Sequence, residues 1–107
     1  MKTLSTIFAA TLLSSVAFAQ APAGTISTKD KKSKDYASLA TITLQEAVDA
    51  ALVKVPGKAV DAELDSENGF LVYEVKVVAT DNTNHEVTVD AGNKAILKAE
   101  AKKGMFK

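Results

Sequence analysis

The chain has 107 residues, and its 13 cationic side chains, all of them lysine, balance 13 Asp and Glu to a formal charge of zero. With no basic excess and no Arg for bidentate readout, it is poorly suited to nucleic acid. It has no Cys or Trp and a single His, which excludes a thiol nucleophile, disulfide staples and Cys-based metal sites.

Met1-Lys2-Thr3 gives a positive start, Leu4 to Val16 is mostly apolar or small, and Ala17-Phe18-Ala19 offers small residues at the two positions that signal peptidase reads. Residues 1–19 are therefore expected to be a cleaved export signal. The apolar run is shorter than the roughly 20 residues of a membrane span and is interrupted by Ser and Thr. Cleavage after Ala19 leaves 88 residues with 12 Lys against 13 acids, with no span left, to act in the periplasm or as a secreted protein. No cysteine exists to carry a lipid.

Residues 20–40 mix Pro, Gly, Ser, Thr and charge without an apolar period, and read as a flexible leader. Its run Lys29-Asp30-Lys31-Lys32-Ser33-Lys34-Asp35 could tether an anionic polymer, but Asp30 and Asp35 dilute the charge and favour a solvated linker. Ser33 to Leu39 either extends the helical region or adds a turn.

Thr43 and Glu46 form a capping box, so a helix starts at Leu44. Leu44, Ala47, Val48, Ala51, Leu52 and Val55 recur at steps of three and four and share one face. Pro56 and Gly57 end the helix near Val53 to Val55. So short a helix is marginal alone, since about 12–15 residues are needed in water, and its apolar stripe requires a partner surface.

Lys58 to Asp65 alternates apolar and acidic residues, as a half-buried strand does, and Asn68-Gly69 suits a type I′ hairpin turn. That turn pairs Leu64 with Tyr73, Ala62 with Val75, Asp61 with Lys76 and Val60 with Val77. Phe70 to Ala79 is the expected central strand, with Leu71, Tyr73, Val75, Val77 and Ala79 toward the helix. After the turn residues 81–84, His85 to Ala91 alternates again. Matching buried parities pairs Val77 with Val87 and Val75 with Val89. Lys94 to Ala99 is a candidate fourth strand in which Ile96 and Leu97 claim opposite faces, and residues 100–107 form a charged tail. The fold class is α+β: one N-terminal helix packed on a 3–4 stranded antiparallel meander sheet.

The residues Ile42-Thr43-Leu44-Gln45-Glu46-Ala47, Ala50-Ala51, Val55-Pro56-Gly57-Lys58, Asn68-Gly69, Val72-Tyr73-Glu74-Val75-Lys76-Val77 and Val87-Thr88-Val89-Asp90-Ala91 occur here in the order found in the PepSY domain. The stretch 41–99 resembles that family, known from propeptides of thermolysin-type metallopeptidases and from single-domain exported bacterial proteins. One departure is Asn93 where the family usually has Gly before the last Lys, with Gly92 one place earlier. The resemblance implies a helix on an antiparallel sheet, and a role in restraining or assisting peptidases. It carries over no catalytic residue, because the family's motif consists of packing and turn positions.

The inventory for chemistry is thin. A Ser-His-Asp arrangement would have to use His85, which reads as a rim histidine. Asp81, Asn84, His85 and Glu86 gather around one turn, but their spacing fits neither a calcium loop nor paired His ligands. Tyr73 reads as a core aromatic with its hydroxyl at the rim, Glu46 serves the cap, and Asp61, Glu63 and Asp65 form a solvated strand face. No catalytic residue, cofactor or metal ligand is therefore assigned.

The parity facing away from the helix is more informative. Phe70, Val72, Glu74, Lys76 and Val78 are expected on an open sheet face beside Asp61, Glu63, Thr88 and Asp90, as a surface for a protein partner or a site covered by leader or tail. The functional expectation is a non-enzymatic exported modulator of peptidases, either inhibitor or folding assistant. The alternative is a binding module for a small ligand, metal or envelope polymer.

Overall fold

The computed structural model describes residues 23–103, so the signal sequence expected at 1–19 and residues 104–107 lie outside the described residues. A 3-10 turn, Ser33–Asp35, leads into the one-turn helix α1, Tyr36–Leu39, and then into α2, Leu44–Lys54. Four strands follow: β1 (Gly57–Glu67), β2 (Phe70–Ala79), β3 (Asn84–Asp90) and β4 (Ile96–Lys102). They form one antiparallel sheet in the order β1-β2-β3-β4, a meander with α2 across one face. The fold is α+β, as the residue pattern predicts.

The start of α2 follows from local chemistry. The Glu46 amide donates to the Thr43 hydroxyl oxygen at 3.0 Å, and the Thr43 amide donates to the Glu46 carboxylate at 2.8 Å. Two otherwise orphaned donors are thereby satisfied. Ala47 and Ala51 are fully buried, with Val48, Leu52 and Val55 packed partly against the same core, whereas Leu44 at the first turn is largely exposed. Small residues on the central line of the stripe let the helix lie close to the sheet. Beyond Val55 and Pro56, Gly57 runs against the β2 backbone at Val78 and Ala79, where a Cβ would collide with main-chain atoms.

The β1–β2 hairpin turns at Asn68 and Gly69, both at positive φ (53° and 85°), as a type I′ turn demands. Leu64 pairs with Tyr73, Ala62 with Val75 and Asp61 with Lys76, in the expected register. The exception is Val60. A bulge between Ala59 and Asp61 gives Val77 to Ala59 and leaves Val60 exposed. The extra residue bends β1 at its far end, which a strict alternation could not anticipate.

Between β2 and β3 the parity is as expected, but the register is displaced by two residues. Val75 pairs with Val87, Tyr73 with Val89 and Val77 with His85. The connection is two residues shorter than a pairing of Val77 with Val87 requires: the Ala79 amide donates to the Thr83 carbonyl, and Asp81 accepts from the Thr83 amide and hydroxyl at 3.1 and 2.5 Å. A second bulge, between Thr88 and Val89, resolves the conflict at Ile96 and Leu97. Val89 pairs with Ile96 and Thr88 with Lys98, so Leu97 is the extra residue. Ile96 packs on the helix-side core while Leu97 joins the opposite face. Strand β4 also continues through Lys102, taking in Glu100 to Lys102, which were expected as tail.

Leu71, Val75, Val77, Val87, Val89 and Ala91 are fully buried between sheet and helix, with Tyr73 at their edge. Each buried valine or leucine contributes on the order of 1.5–3 kcal/mol before chain entropy is counted. The Tyr73 hydroxyl donates to the Ile42 carbonyl at 2.9 Å and so fixes the entry to α2 over the sheet.

The described part of the presumed leader, 23–40, is tied to the domain. Ile26, Tyr36, Leu39 and Ala40 pack against the core, and Thr41 and Ile42 donate their amides to the Ala91 carbonyl. Apolar residues spaced too widely to show a period still find the core once the chain folds back.

Candidate functional site

The sheet face turned away from α2 is built from alternate residues of all four strands. Across it run the rows Glu67–Phe70, Asp65–Val72–Asp90, Glu63–Glu74–Thr88–Lys98, Asp61–Lys76–Glu86–Glu100 and Lys58–Val78–Asn84–Lys102. Phe70, Glu74, Lys76 and Val78 are half-buried there. Val72, Thr88 and Asp90, expected exposed, are not: they are 1%, 3% and 0% exposed. Val72 lines a cavity of about 270 Å³ together with Gly24, Phe70, Thr88 and Leu97, so the bulge at Leu97 and the N-terminal segment enclose what alternation alone left open. Lys98 stands at its rim with its Nζ 3.0 Å from the Glu67 carboxylate.

The rest of the face is acidic and laced by lysines. Lys76 lies 3.8 Å from Asp61, and Lys102 lies 3.3 Å from Glu86 and 2.7 Å from Glu100. Glu74 sits in the middle, directly opposite Glu63. Partial burial, and then the charges of Glu86, Glu67, Asp65 and Glu63, push its carboxyl above the ordinary value of 4.5. The face thus combines an apolar patch at one end with a carboxylate that resists ionisation at its centre.

The alternation sets Asp90 on this open face, but its role is different. Its carboxylate accepts the Thr25 amide at 2.9 Å, the Thr25 hydroxyl at 2.6 Å, the Gly92 amide at 3.1 Å and the Asn93 amide at 3.0 Å. A buried carboxylate is tolerated when charge-assisted donors surround it in this way. Asp90 therefore holds both the β3–β4 turn and the N-terminal segment. An Asp closing a strand two residues before Gly-Asn is a turn signal that marks half of this role, and nothing in the sequence marks the other half.

Of the residues weighed for catalysis, Asp81 and His85 meet through the Thr83 hydroxyl, and Tyr73 and Glu46 serve structure. The His85 ring nitrogen Nε2 lies 2.8 Å from the Thr83 hydroxyl, and Asp81 is held below the usual carboxylate range by its hydrogen bonds from Thr83. Tyr73 is pushed upward by burial and by Glu46. Among the described residues no group of three His, Cys, Asp or Glu is placed to hold a metal ion, and no helix is long and apolar enough to cross a membrane.

With this geometry in view, comparison with known proteins gives a direct result. Residues 41–100 match the family described as PepSY, peptidase propeptide and YPEB domain. The chain belongs to the PepSY family. Its PepSY domain thus runs from the turn before α2 to the middle of β4. The chain is 30% identical over 67 residues to the uncharacterized protein YkoJ of Bacillus subtilis, covering 63% of this chain and 39% of that one. In structure it resembles a "putative lipoprotein" from Clostridium difficile 630, with a TM-score of 0.55 and 20% identity over 70% of this chain and 51% of that one. The chain therefore spans about half or less of the length of these two relatives. At that identity the solved structure supports the helix-on-sheet fold of the PepSY domain and nothing more specific.

Proposed function

We propose that this PepSY protein acts outside the cytoplasm as a non-catalytic modulator of a peptidase, either restraining it or assisting its folding. The carrying observation is the sheet face opposite α2, where Phe70 and Val78 remain half-buried beside Glu74 and Lys76 with no second layer of regular structure over them among the described residues. Partly exposed apolar side chains on a charged sheet face suit contact with another protein. The family's description, which names peptidase propeptides, supports a peptidase as that partner. The signal-like residues 1–19 support export.

The test is to incubate the mature protein with a panel of envelope and secreted peptidases and follow activity and thermal stability. At least one should change in rate or stability, and the change should weaken with Phe70→Ser, whose fold is checked by circular dichroism. An unchanged panel would overturn the reading.

The cavity of about 270 Å³ favours a second reading, a binding module for a small ligand or envelope polymer. A ligand bound only by the folded state raises Tm, so a thermal-shift screen separates the two.

A further inference from the structure

Strand β3 ends opposite Val72, and beyond it the Ala91 amide still donates to the Leu71 carbonyl at 3.2 Å, so on that side the Gly69 carbonyl and the Leu71 amide are left without a partner from β3. The chain's own N-terminal segment takes the place. The Thr28 amide donates to the Gly69 carbonyl at 2.9 Å, the Leu71 amide donates to the Ile26 carbonyl at 2.8 Å, and Ser27 lies antiparallel to Phe70. This is one short strand added to an open stretch of sheet.

Its side chains are read on both faces. Ile26 enters the core, the Thr28 hydroxyl is 2.6 Å from that of Ser66, and Thr25 gives both its amide and its hydroxyl to the Asp90 carboxylate. Gly92 leaves room for the Thr25 hydroxyl, and Gly24 lets the backbone pass against Phe70. The segment thus sits in a slot with a polar end at Asp90, an apolar centre and a second hydroxyl contact at Ser66. It is continuous with the domain only at its Lys29 end, and such a peripheral element opens before the core does.

We propose that this slot is a strand-addition site for a partner protein, kept closed by residues 24–28 in the absence of that partner. The occupant it fits is an extended segment in which a Thr or Ser is followed by a branched aliphatic and, two residues later, by another hydroxyl. An incoming segment competes with a tethered one, whose effective concentration is on the order of millimolar. A partner overcomes this by contacting the neighbouring face as well. Ala23 and Gly24 form part of the cavity wall beside Phe70 and Val72, so lifting the segment opens that patch at the same time. The slot rests on its own geometry, while the partner's second contact rests on the reading of the face given above.

The experiment uses the isotope-labelled full mature chain carrying Thr25→Ala and Ile26→Ser, which loosens its own strand and leaves the slot unaltered. A synthetic peptide of residues 23–29, Ala-Gly-Thr-Ile-Ser-Thr-Lys, is titrated in. Shifts of the Leu71, Gly92 and Asn93 amide signals are expected, with affinity at least tenfold tighter than for the peptide bearing the same two changes and at least tenfold tighter than in the unmodified chain. No shift at those amides, or equal affinity for the two peptides, would overturn the proposal. A concentration-dependent dimer of the unmodified chain that the peptide dissolves would assign the slot to a second copy instead. Should the double variant not fold, Thr25→Ala alone carries the same comparison. Peptide binding without any effect on peptidases leaves the slot standing and removes only the peptidase.

Discussion

The Tyr73 hydroxyl donates to the carbonyl of Ile42, 31 residues earlier, and this bond joins the middle strand to the residue from which α2 is launched. Tyr73→Phe keeps the ring in the core and removes only that bond. A neutral hydrogen bond contributes about 0.5–1.5 kcal/mol net, so the variant should unfold about 1 kcal/mol more easily. For a domain of this size that is roughly 4–8 °C in Tm. Because burial and Glu46 raise the phenol above its ordinary value of 10.0, folding favours its neutral form. That contribution is complete below pH 10 and lost as pH rises through the folded-state value, so the gap between wild type and Tyr73→Phe should shrink at alkaline pH. Denaturant titrations at pH 7 and above 10 check both statements.

Glu74 gives the opposite kind of test. Its carboxyl faces Glu63 across the hairpin, and burial with neighbouring acids raises it above 4.5. A raised carboxylate favours the folded state fully below pH 4.5, and that advantage disappears as pH climbs through the folded-state value. Glu74→Gln should therefore stabilise the protein at pH 7, by less than about 1 kcal/mol given partial solvent screening, and change little at pH 4. Urea unfolding at the two pH values, repeated at high salt where the gain at pH 7 should diminish, provides the measurement.

The bulge in β1 can be tested by contrast with the regular ladder beside it. Strict alternation sets Val60 against Val77, whereas the structure leaves Val60 in a bulge and 54% exposed. Val60→Thr should change stability by no more than about 0.5 kcal/mol. Val75→Ala, which removes a fully buried side chain from the same hairpin, should cost about 2 kcal/mol or more. Comparable losses at both positions would restore the alternating register.

These cases show which parts of the fold are legible in the residues. Thr43 with Glu46, and Asn68 with Gly69, specify their structures through neighbours a few positions away, so the ends of α2 and the first hairpin can be read directly. Alternation then fixes parity, which is why every expected pair between β2 and β3 lands on the right face. It does not fix register, since a shift by two residues preserves every face, and the length of the 79–83 connection decides among the choices. Bulges at Val60 and Leu97 answer the bending of the sheet, a property of the whole layer. The open face is the least legible part. Its cover comes from Leu97 and from an N-terminal segment held by Asp90 across 65 positions, and no local pattern encodes such a contact.

Asp90 should be the costliest acid in the domain to change. Four donors converge on its carboxylate, and a hydrogen bond to a charged group contributes about 1.5–3 kcal/mol. Asp90→Ala strands those donors in a buried site and should destabilise by more than about 3 kcal/mol. Asp90→Asn keeps the shape but turns one acceptor into a donor against Thr25, and should lose less. A variant Asp65→Asn, on the same row but solvent-exposed, serves as the control and should unfold within about 0.5 kcal/mol of wild type. Equal behaviour of Asp90 and Asp65 would return Asp90 to the solvated face on which the alternation placed it.

Gly92→Ala separates the N-terminal segment from the rest. A Cβ at this position would fall on the Thr25 hydroxyl and crowd the Asp90 carboxylate and the Ile26 side chain, which anchors the segment in the core, while no residue of α2 is among its nearest neighbours. The segment 24–28 should therefore detach while the sheet and α2 persist. Hydrogen exchange reads this directly, because the Leu71 amide donates to Ile26 and the Thr28 amide donates to Gly69. Both should exchange at least tenfold faster in the variant, whereas the amides of Val75 and Val87, in the middle of the sheet, should slow or quicken only with the global stability. If Leu71 and Val75 accelerate together, the segment is an integral part of the cooperative fold and cannot open separately from it.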